Sequence, residues 1–455
     1  MKKAIKLSLA AALAGSAMLH GADIDVNGYK GGTLDFMLKG IYVIDDKKNG
    51  WAPNDGGGYL VKLKYETPDT IVDNLKVGVG MYVNGDGGLT DWTPDDGGKA
   101  AGGLVVDKDG KSKALMGELY VSYKHEYFDA KLGRQTLDTP LTKIQVSLMP
   151  NFYEAYMLGT NVIDGLRLTA GQITKMSMGS RAATDFGLIG EGSTTGGAAT
   201  KFVQQGGTVE QARFLSMGKI AGLTGDTDGR TILGATYSGI KNLKADLWAY
   251  HSDDVVNDYY AELGYKIPVV DDMAVSLNAQ YLMQKDTGNA LAGKKDFNMM
   301  GAKVALGTKK WGVYTAVNKS GDQSDTASEM GFFNAWGADP AYTSTIFSRN
   351  AYRDDVEAYI VGGHYMIMKG MKFMVDYAEY GKSDTKGRAA SGPTGVLSAN
   401  DDAYEIDVAL NYKYDENWFF RVFNSRRVSE YNGVTAGGIT ERRQNHYRIV
   451  ASYTF

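Results

Sequence analysis

The chain closes on "NHYRIVASYTF", residues 445–455. From Tyr447 onward every second position is apolar or aromatic: Tyr447, Ile449, Ala451, Tyr453 and Phe455. Arg448, Val450, Ser452 and Thr454 fall between them. A period of two is the signature of a strand with two unlike faces. Chain ends are ordinarily frayed and polar, so a terminus patterned to its last residue implies a strand whose partner needs it.

The same pattern recurs along the chain in runs of roughly 8–12 residues. Examples are "TLDFMLKGIYVI" (33–44), "LKADLWAYHS" (243–252), "AVSLNAQYLMQ" (274–284) and "AYEIDVALNYK" (403–413). Weaker runs lie at 128–135, 153–159 and 231–238. Together they predict about 18 strands. The breaks differ in length. "HEY" (125–127), "GIKN" (239–242) and "YDEN" (414–417) are short, whereas 85–112, 136–152, 176–230, 320–355 and 382–402 are long. Long structureless loops argue against one compact soluble domain. Short turns at one end and long loops at the other are the plan of a barrel that crosses a membrane. The expected fold is all-β: a transmembrane antiparallel β-barrel with short periplasmic turns and long extracellular loops.

The two faces of each run fit that fold. Leu243, Ala245, Leu247 and Ala249 share one face of 243–252, and Lys244, Asp246, Trp248, Tyr250 and Ser252 the other. The apolar parity carries aromatics near strand ends: Tyr65, Tyr123, Tyr265, Tyr281, Trp311, Tyr412, Trp418, Tyr453 and Phe455. These suit the interfacial girdles of a bilayer. A barrel of this width leaves an aqueous channel. The lumen parity carries Lys131, Arg167, Lys244, Lys303, Arg421 and Arg448, set against Glu118, Asp246, Glu262, Glu357, Asp376, Glu405 and Asp407. Fixed charge of this kind selects ions and orients polar solutes.

The first 22 residues stand apart, with Lys2, Lys3 and Lys6 ahead of the apolar "LSLAAALAGSAML". This reads as a secretory signal peptide (1–22), too short in its apolar part to span a bilayer. Residues 23–455 then form a single barrel domain. With 58 Gly, 8 Pro and 29 Tyr, the composition suits many strands joined by glycine turns. A net charge of -4 argues against a nucleic-acid surface. The absence of cysteine excludes disulfides, thiolate metal sites and a Cys nucleophile.

No constellation points to catalysis, a metal or a cofactor. None of the five histidines stands in an H-E-x-x-H or other zinc spacing. "VDKDGKSK" (106–113) and "TGDTDGRT" (224–231) lack the full calcium-loop pattern and read as Asp-Gly turns. "GLIGEGSTTGG" (187–197) has no strand-to-helix context for a nucleotide. "TVEQARFLSMGK" (208–219) has weak helical periodicity and is expected as a short surface helix.

At "LGRQTLDTPL" (132–141), followed by "MPNFYEAYML" (149–158), the chain resembles the OprD-like outer-membrane porins, in particular their epsilonproteobacterial branch. "WGADPAYTS" (336–344) and the closing "YRIVASYTF" agree. The resemblance implies an 18-stranded barrel whose third loop folds inward and narrows the pore. Here that loop spans 136–152, with Asp138, Pro140, Lys143, Gln145 and Pro150 as its candidate constriction residues. Between its "TP" and "PN", Lys143 is the only charge, where the family commonly carries an acid and an arginine. The family's basic ladder would map by parity to Lys131, Arg167, Lys244, Arg421 and Arg448. Arg134 falls on the lipid parity, so either the loop has begun there or a bulge turns it inward. The resemblance also implies that the C-terminal strand ending in Phe is read by the barrel-assembly machinery.

The expected function is passive, substrate-selective diffusion of small polar solutes or ions through the outer membrane of a Gram-negative bacterium, in contact with outer-membrane lipid and lipopolysaccharide. A homotrimer is one assembly such a barrel could form. An adhesin or structural barrel acting through loops 176–230 and 320–355 is the competing reading.

Overall fold

Inside a bilayer every backbone N–H and C=O must be paired within the protein, so alternating strands can cross only if their sheet meets itself. A computed structural model of the chain describes residues 23–26, 29–48, 55–69, 72–89, 112–143, 148–180, 212–221, 223, 225–322, 331–337, 339–348, 350–382, 400–431 and 441–455. The sheet does close. Its wall begins with β1 (Tyr29–Lys48), β2 (Gly56–Glu66), β3 (Leu75–Gly85), β4 (Lys113–Lys124), β5 (Phe128–Gln135) and β6 (Phe152–Ile163). It continues with β7 (Leu166–Ser177), β8 (Arg230–Tyr237), β9 (Leu243–Ser252), β10 (Val256–Val270), β11 (Met273–Asp286) and β12 (Asp296–Gly307). β13 (Trp311–Ser320), β14 (Glu357–Met368), β15 (Met371–Tyr380), β16 (Asn400–Lys413), β17 (Trp418–Tyr431) and β18 (Glu441–Thr454) complete it.

Each strand pairs antiparallel with the next, including β7 with β8 across the longest connection. β18 then pairs with β1, from Met37 opposite Thr454 to Lys48 opposite Arg443, which closes an 18-stranded barrel. At this seam Phe36 and Phe455 exchange backbone hydrogen bonds of 3.0 and 3.1 Å, and their rings stack at 5.1 Å. The patterned terminus is one side of the seam.

β1 runs past the 33–44 run at both ends, and its polar Asp45–Lys48 end stays in the sheet by pairing with Arg443–His446 of β18. A short strand, Asp23–Val26, folds back on its start. All three weaker runs are wall strands. The expected signal peptide (1–22), most of the 106–113 turn and the glycine-rich 187–197 lie outside the described residues.

The turns are set by local chemistry. Asn242 closes the "GIKN" turn at φ 66°, where an Asn tolerates the left-handed region. Gly370 takes φ 81° in the turn between β14 and β15, where a Cβ would stand 2.2 Å from the Lys413 carbonyl.

The faces run as a membrane barrel requires. Leu63, Leu247, Leu263, Val313, Val361 and Ile449 point out and are exposed, whereas Asp246, Gln280 and Glu405 point in and are buried. Glu357 departs from its expected lumen place: it lies on the outer face, 3.6 Å from Lys319, because β14 alternates with Ala358 and Ile360 inward. The expected surface helix is a single turn, Met217–Ala221, and it is buried rather than superficial. Residues 208–211 of that stretch lie outside the described region. Asp226 anchors the turn by accepting from the Gly218 and Thr227 amides, each at 3.0 Å. Those donors hold its carboxyl below the ordinary range against the opposing effect of partial burial.

Candidate functional site

The lumen face decides what this barrel can admit. Most of its carboxylates are engaged by the protein itself. Glu118 accepts from Lys64 at 2.8 Å and from the Tyr82 hydroxyl at 2.6 Å. Glu66 accepts from Lys76 at 3.2 Å and from the Tyr120 hydroxyl at 2.6 Å. Asp129 pairs with Arg167 at 2.8 Å, and Asp246 with Lys244 at 2.7 Å. Asp376 accepts from the Tyr314 hydroxyl at 2.7 Å, and Lys62 pairs with Asp35.

Several cations differ. Among the described residues, Lys39, Lys131, Lys303 and Arg421 have no carboxylate within ion-pair distance. Lys131 lies 3.8 Å above the Tyr120 ring, Lys303 4.3 Å above Tyr314, and Arg421 4.8 Å from the Phe423 ring. Aromatic faces attract a cation without neutralising it. Lys39, Arg421 and Arg448 stand on three adjacent strands across the seam. Lys39 is opposite Ser452, Arg421 opposite Val450, and Arg448 is the next lumen position along β18. Diagonal neighbours of this kind lie about 7–8 Å apart.

Two loops enter the barrel from the extracellular end. In the third loop, Leu141 is buried, its N–H donating to the Tyr250 hydroxyl at 3.3 Å. Leu148 and Met149 pack against Ile41, Val43 and Leu60 of the wall. The late loop between β13 and β14 goes deeper. Tyr342 donates to Glu262 at 2.7 Å; burial and that carboxylate push its phenol above the ordinary range, so it stays a donor. Thr343 N–H donates to Asn318 at 3.0 Å, and the Tyr380 hydroxyl donates to the Thr343 carbonyl at 2.6 Å. Ile346 N–H donates to Asp407 at 2.9 Å, and Phe347 N–H to Glu405 at 2.8 Å. The Phe347 ring lies 4.4 Å from that of His446. Residues 342–347 are thus tied to β10, β13, β15, β16 and β18, a strap across much of the lumen wall.

A closed barrel, an engaged set of carboxylates and inward loops describe a channel. The model of the family described as "outer membrane porin, OprD family" matches residues 74–455. The chain belongs to the OprD family of outer-membrane porins. OpdK of Pseudomonas aeruginosa, solved with vanillate, is similar at 17% identity and TM-score 0.67, over 93% of this chain and 98% of that one. OccK9 (OpdG) of the same organism is 16% identical at TM-score 0.69, with the same coverage. OccAB3 of Acinetobacter baumannii is 15% identical at TM-score 0.69, again over 93% and 98%. A comparison with curated proteins returned no match.

In this OprD-family barrel the expected lumen residues separate into groups. Arg167 and Lys244 stand near the periplasmic mouth beside acids, away from Arg421 and Arg448, so the five mapped cations do not form one column. Glu405 and Asp407 point inward but are occupied by the late loop. Asp138 and Lys143 of the third loop are exposed and pair with each other at 3.0 Å. Pro140 and Pro150 are half-buried, and Gln145 lies outside the described residues. Trp311, Tyr412, Trp418, Tyr453 and Phe455 share the outer parity, and the Trp418 and Tyr453 rings pack at 5.0 Å. Arg134 is neither in the loop nor turned inward. It remains on β5, facing out, 3.6 Å from Glu154. Two features escaped sequence reading. Lys39 shares its face with Met37, Ile41 and Val43, so only its own charge and Asp35 mark the lumen. The strap carries no periodic signal, and only its cluster of aromatics set it apart.

Proposed function

We propose that this porin passes small hydrophilic solutes bearing a carboxylate or similar anionic group, passively and down their gradient. The observation that carries this reading is the imbalance within the lumen. Wall carboxylates are engaged by lysines, arginines, tyrosines and loop amides, while among the described residues Lys39, Lys131, Lys303 and Arg421 have no carboxylate within ion-pair distance. A solute anion entering a water-filled lumen meets available cations and few competing acids. The strap at 342–347 and the third loop supply steric sieving, and Asp138, Pro140, Lys143 and Pro150 lie at the outer approach. Vanillate and glucuronate, present in the OpdK and OccK2 structures, are both carboxylates, which agrees with this class.

The test is a reversal potential in a potassium chloride gradient across a planar bilayer. Anion selectivity is the expected result, and cation selectivity would overturn the proposal. Silence from correctly folded protein would instead favour a barrel acting through its surface loops.

A further inference from the structure

Arg134 poses a problem of its own. Charged side chains on the lipid parity of a barrel strand are costly near the membrane centre and become tolerable only toward the interfaces. Arg134 is 35% exposed, opposite Glu154 on β6, which is 25% exposed and itself opposite Lys175 on β7. Lys175, 49% exposed, stands 3.3 Å from Glu154. The three form one cross-strand row on the outer face, at the extracellular ends of their strands.

Lys175 is there because of a bulge. Glu154 pairs with Lys175 but Ala155 pairs with Ile173, which leaves Thr174 as an extra residue. Its hydroxyl donates to the Glu154 carbonyl at 3.1 Å. Without the bulge, Lys175 would share the lumen parity of the buried Ile173. A bulge at a barrel rim re-aims a side chain, and this one adds a second cation to a row that holds one acid.

The two ends of the outer face are also unlike. The periplasmic ends carry Tyr65, Tyr265, Trp311, Tyr412, Trp418 and Phe455, aromatic and uncharged. At the extracellular ends, charges stand beyond the girdle tyrosines: Glu154 beyond Tyr156, Lys285 beyond Tyr281, and Arg443 beyond Tyr447. Elsewhere on that rim Lys285 stands beside Asp296, Lys319 beside Glu357 and Arg443 beside Glu441, whereas the Arg134–Lys175 row sets two cations against one acid, a local excess that an anionic headgroup balances.

We propose that Arg134 and Lys175 form a docking site for a phosphate of the outer-leaflet glycolipid. Glu154 pairs with both cations and fixes them side by side, and the Phe214 ring lies 4.3 Å from the Arg134 guanidinium. Arginine and lysine together supply directional donors and a mobile ammonium, a combination suited to a phosphate monoester.

The experiment titrates the full-length folded porin in detergent with bisphosphorylated lipid A and follows binding by native mass spectrometry. Wild type should bind it, and the R134Q/K175Q variant about tenfold more weakly, since two charge-assisted contacts are lost. Lipid A stripped of its phosphates should bind wild type as weakly as that variant. Equal affinity of wild type and variant, or of phosphorylated and stripped lipid, would overturn the proposal. Unchanged single-channel conductance confirms that the variant folds. If it does not fold, the stripped-lipid comparison on wild type still decides.

Discussion

The hydroxyl of Tyr153 on β6 lies 2.9 Å from the carbonyl of Trp336 and 3.1 Å from that of Thr142. One phenol therefore joins the late loop, the third loop and the barrel wall. Tyr153 is fully buried, so none of the three groups reaches water if it is lost. Tyr153→Phe should lower stability by about 1–3 kcal/mol, the cost of leaving buried polar groups unsatisfied. It should also increase current noise, because both loops lose a shared tether. Thermal unfolding in detergent and single-channel recordings check the two effects. A variant with wild-type melting and quiet currents would show that the loops are held elsewhere.

The strap supplies a second prediction. Phe347 fills a socket formed with Ala409 and Phe423, its ring against His446 and its N–H on Glu405. Phe347→Ala removes the ring that seats residues 342–347, so the strap should release more readily. Conductance should rise by a factor of about 1.5–2 as the sieve widens. Asp407→Ala, which removes the acceptor for Ile346 N–H, should act in the same direction. Unchanged conductance in a folded Phe347→Ala variant would place the narrowing in the third loop alone.

Charge selection gives a third. Lys39→Gln and Arg421→Gln remove cations that have no carboxylate within ion-pair distance among the described residues. Each should shift the reversal potential toward cation selectivity. Lys244→Gln removes a lysine already paired with Asp246 at 2.7 Å, so its shift should be smaller or reversed, because the acid is then freed. A larger anion-selectivity loss in Lys244→Gln than in Lys39→Gln would contradict the lumen imbalance as the source of selectivity.

The legibility of the chain follows from the same physics. Alternation is enforced on every wall strand, because lipid lies on one side and water or loop packing on the other. The barrel, its strand number and the lumen parity of Glu118, Asp246, Lys303 and Arg448 could therefore be read from sequence. Parity shows which way a side chain points and nothing about what meets it. Glu405 and Asp407 read as solvent-facing acids, yet the amides of Ile346 and Phe347 occupy them, contacts separated by roughly 60 residues in the chain. Bulges are the second blind spot. Thr174 flips the parity of Lys175 without any Gly or Pro to mark it, so the outer row at Arg134 emerges only in three dimensions.

The last prediction concerns a buried ion pair. Arg230 and Asp258 meet at 2.7 Å, 3% and 1% exposed, with the guanidinium 4.8 Å from each of the rings of Tyr250 and Trp336. Gln284 donates to Asp258 at 2.6 Å and to the Phe333 carbonyl at 2.9 Å, and accepts from Phe333 N–H at 2.7 Å. The carboxylate thus orients the amide that grips the late loop. Asp258→Ala strands a buried arginine and frees Gln284 to turn, and should cost about 3–5 kcal/mol. The paired change R230M/D258L removes both charges and should recover much of that loss, since an apolar pair of similar volume needs no desolvation. Gln284 still loses an acceptor in the double variant, so its late loop should remain noisier than wild type even where melting is restored. Recovery of melting together with quiet currents would show that Phe333 does not depend on the ion pair. A double variant as unstable as Asp258→Ala would show that the pair is held for packing rather than for charge.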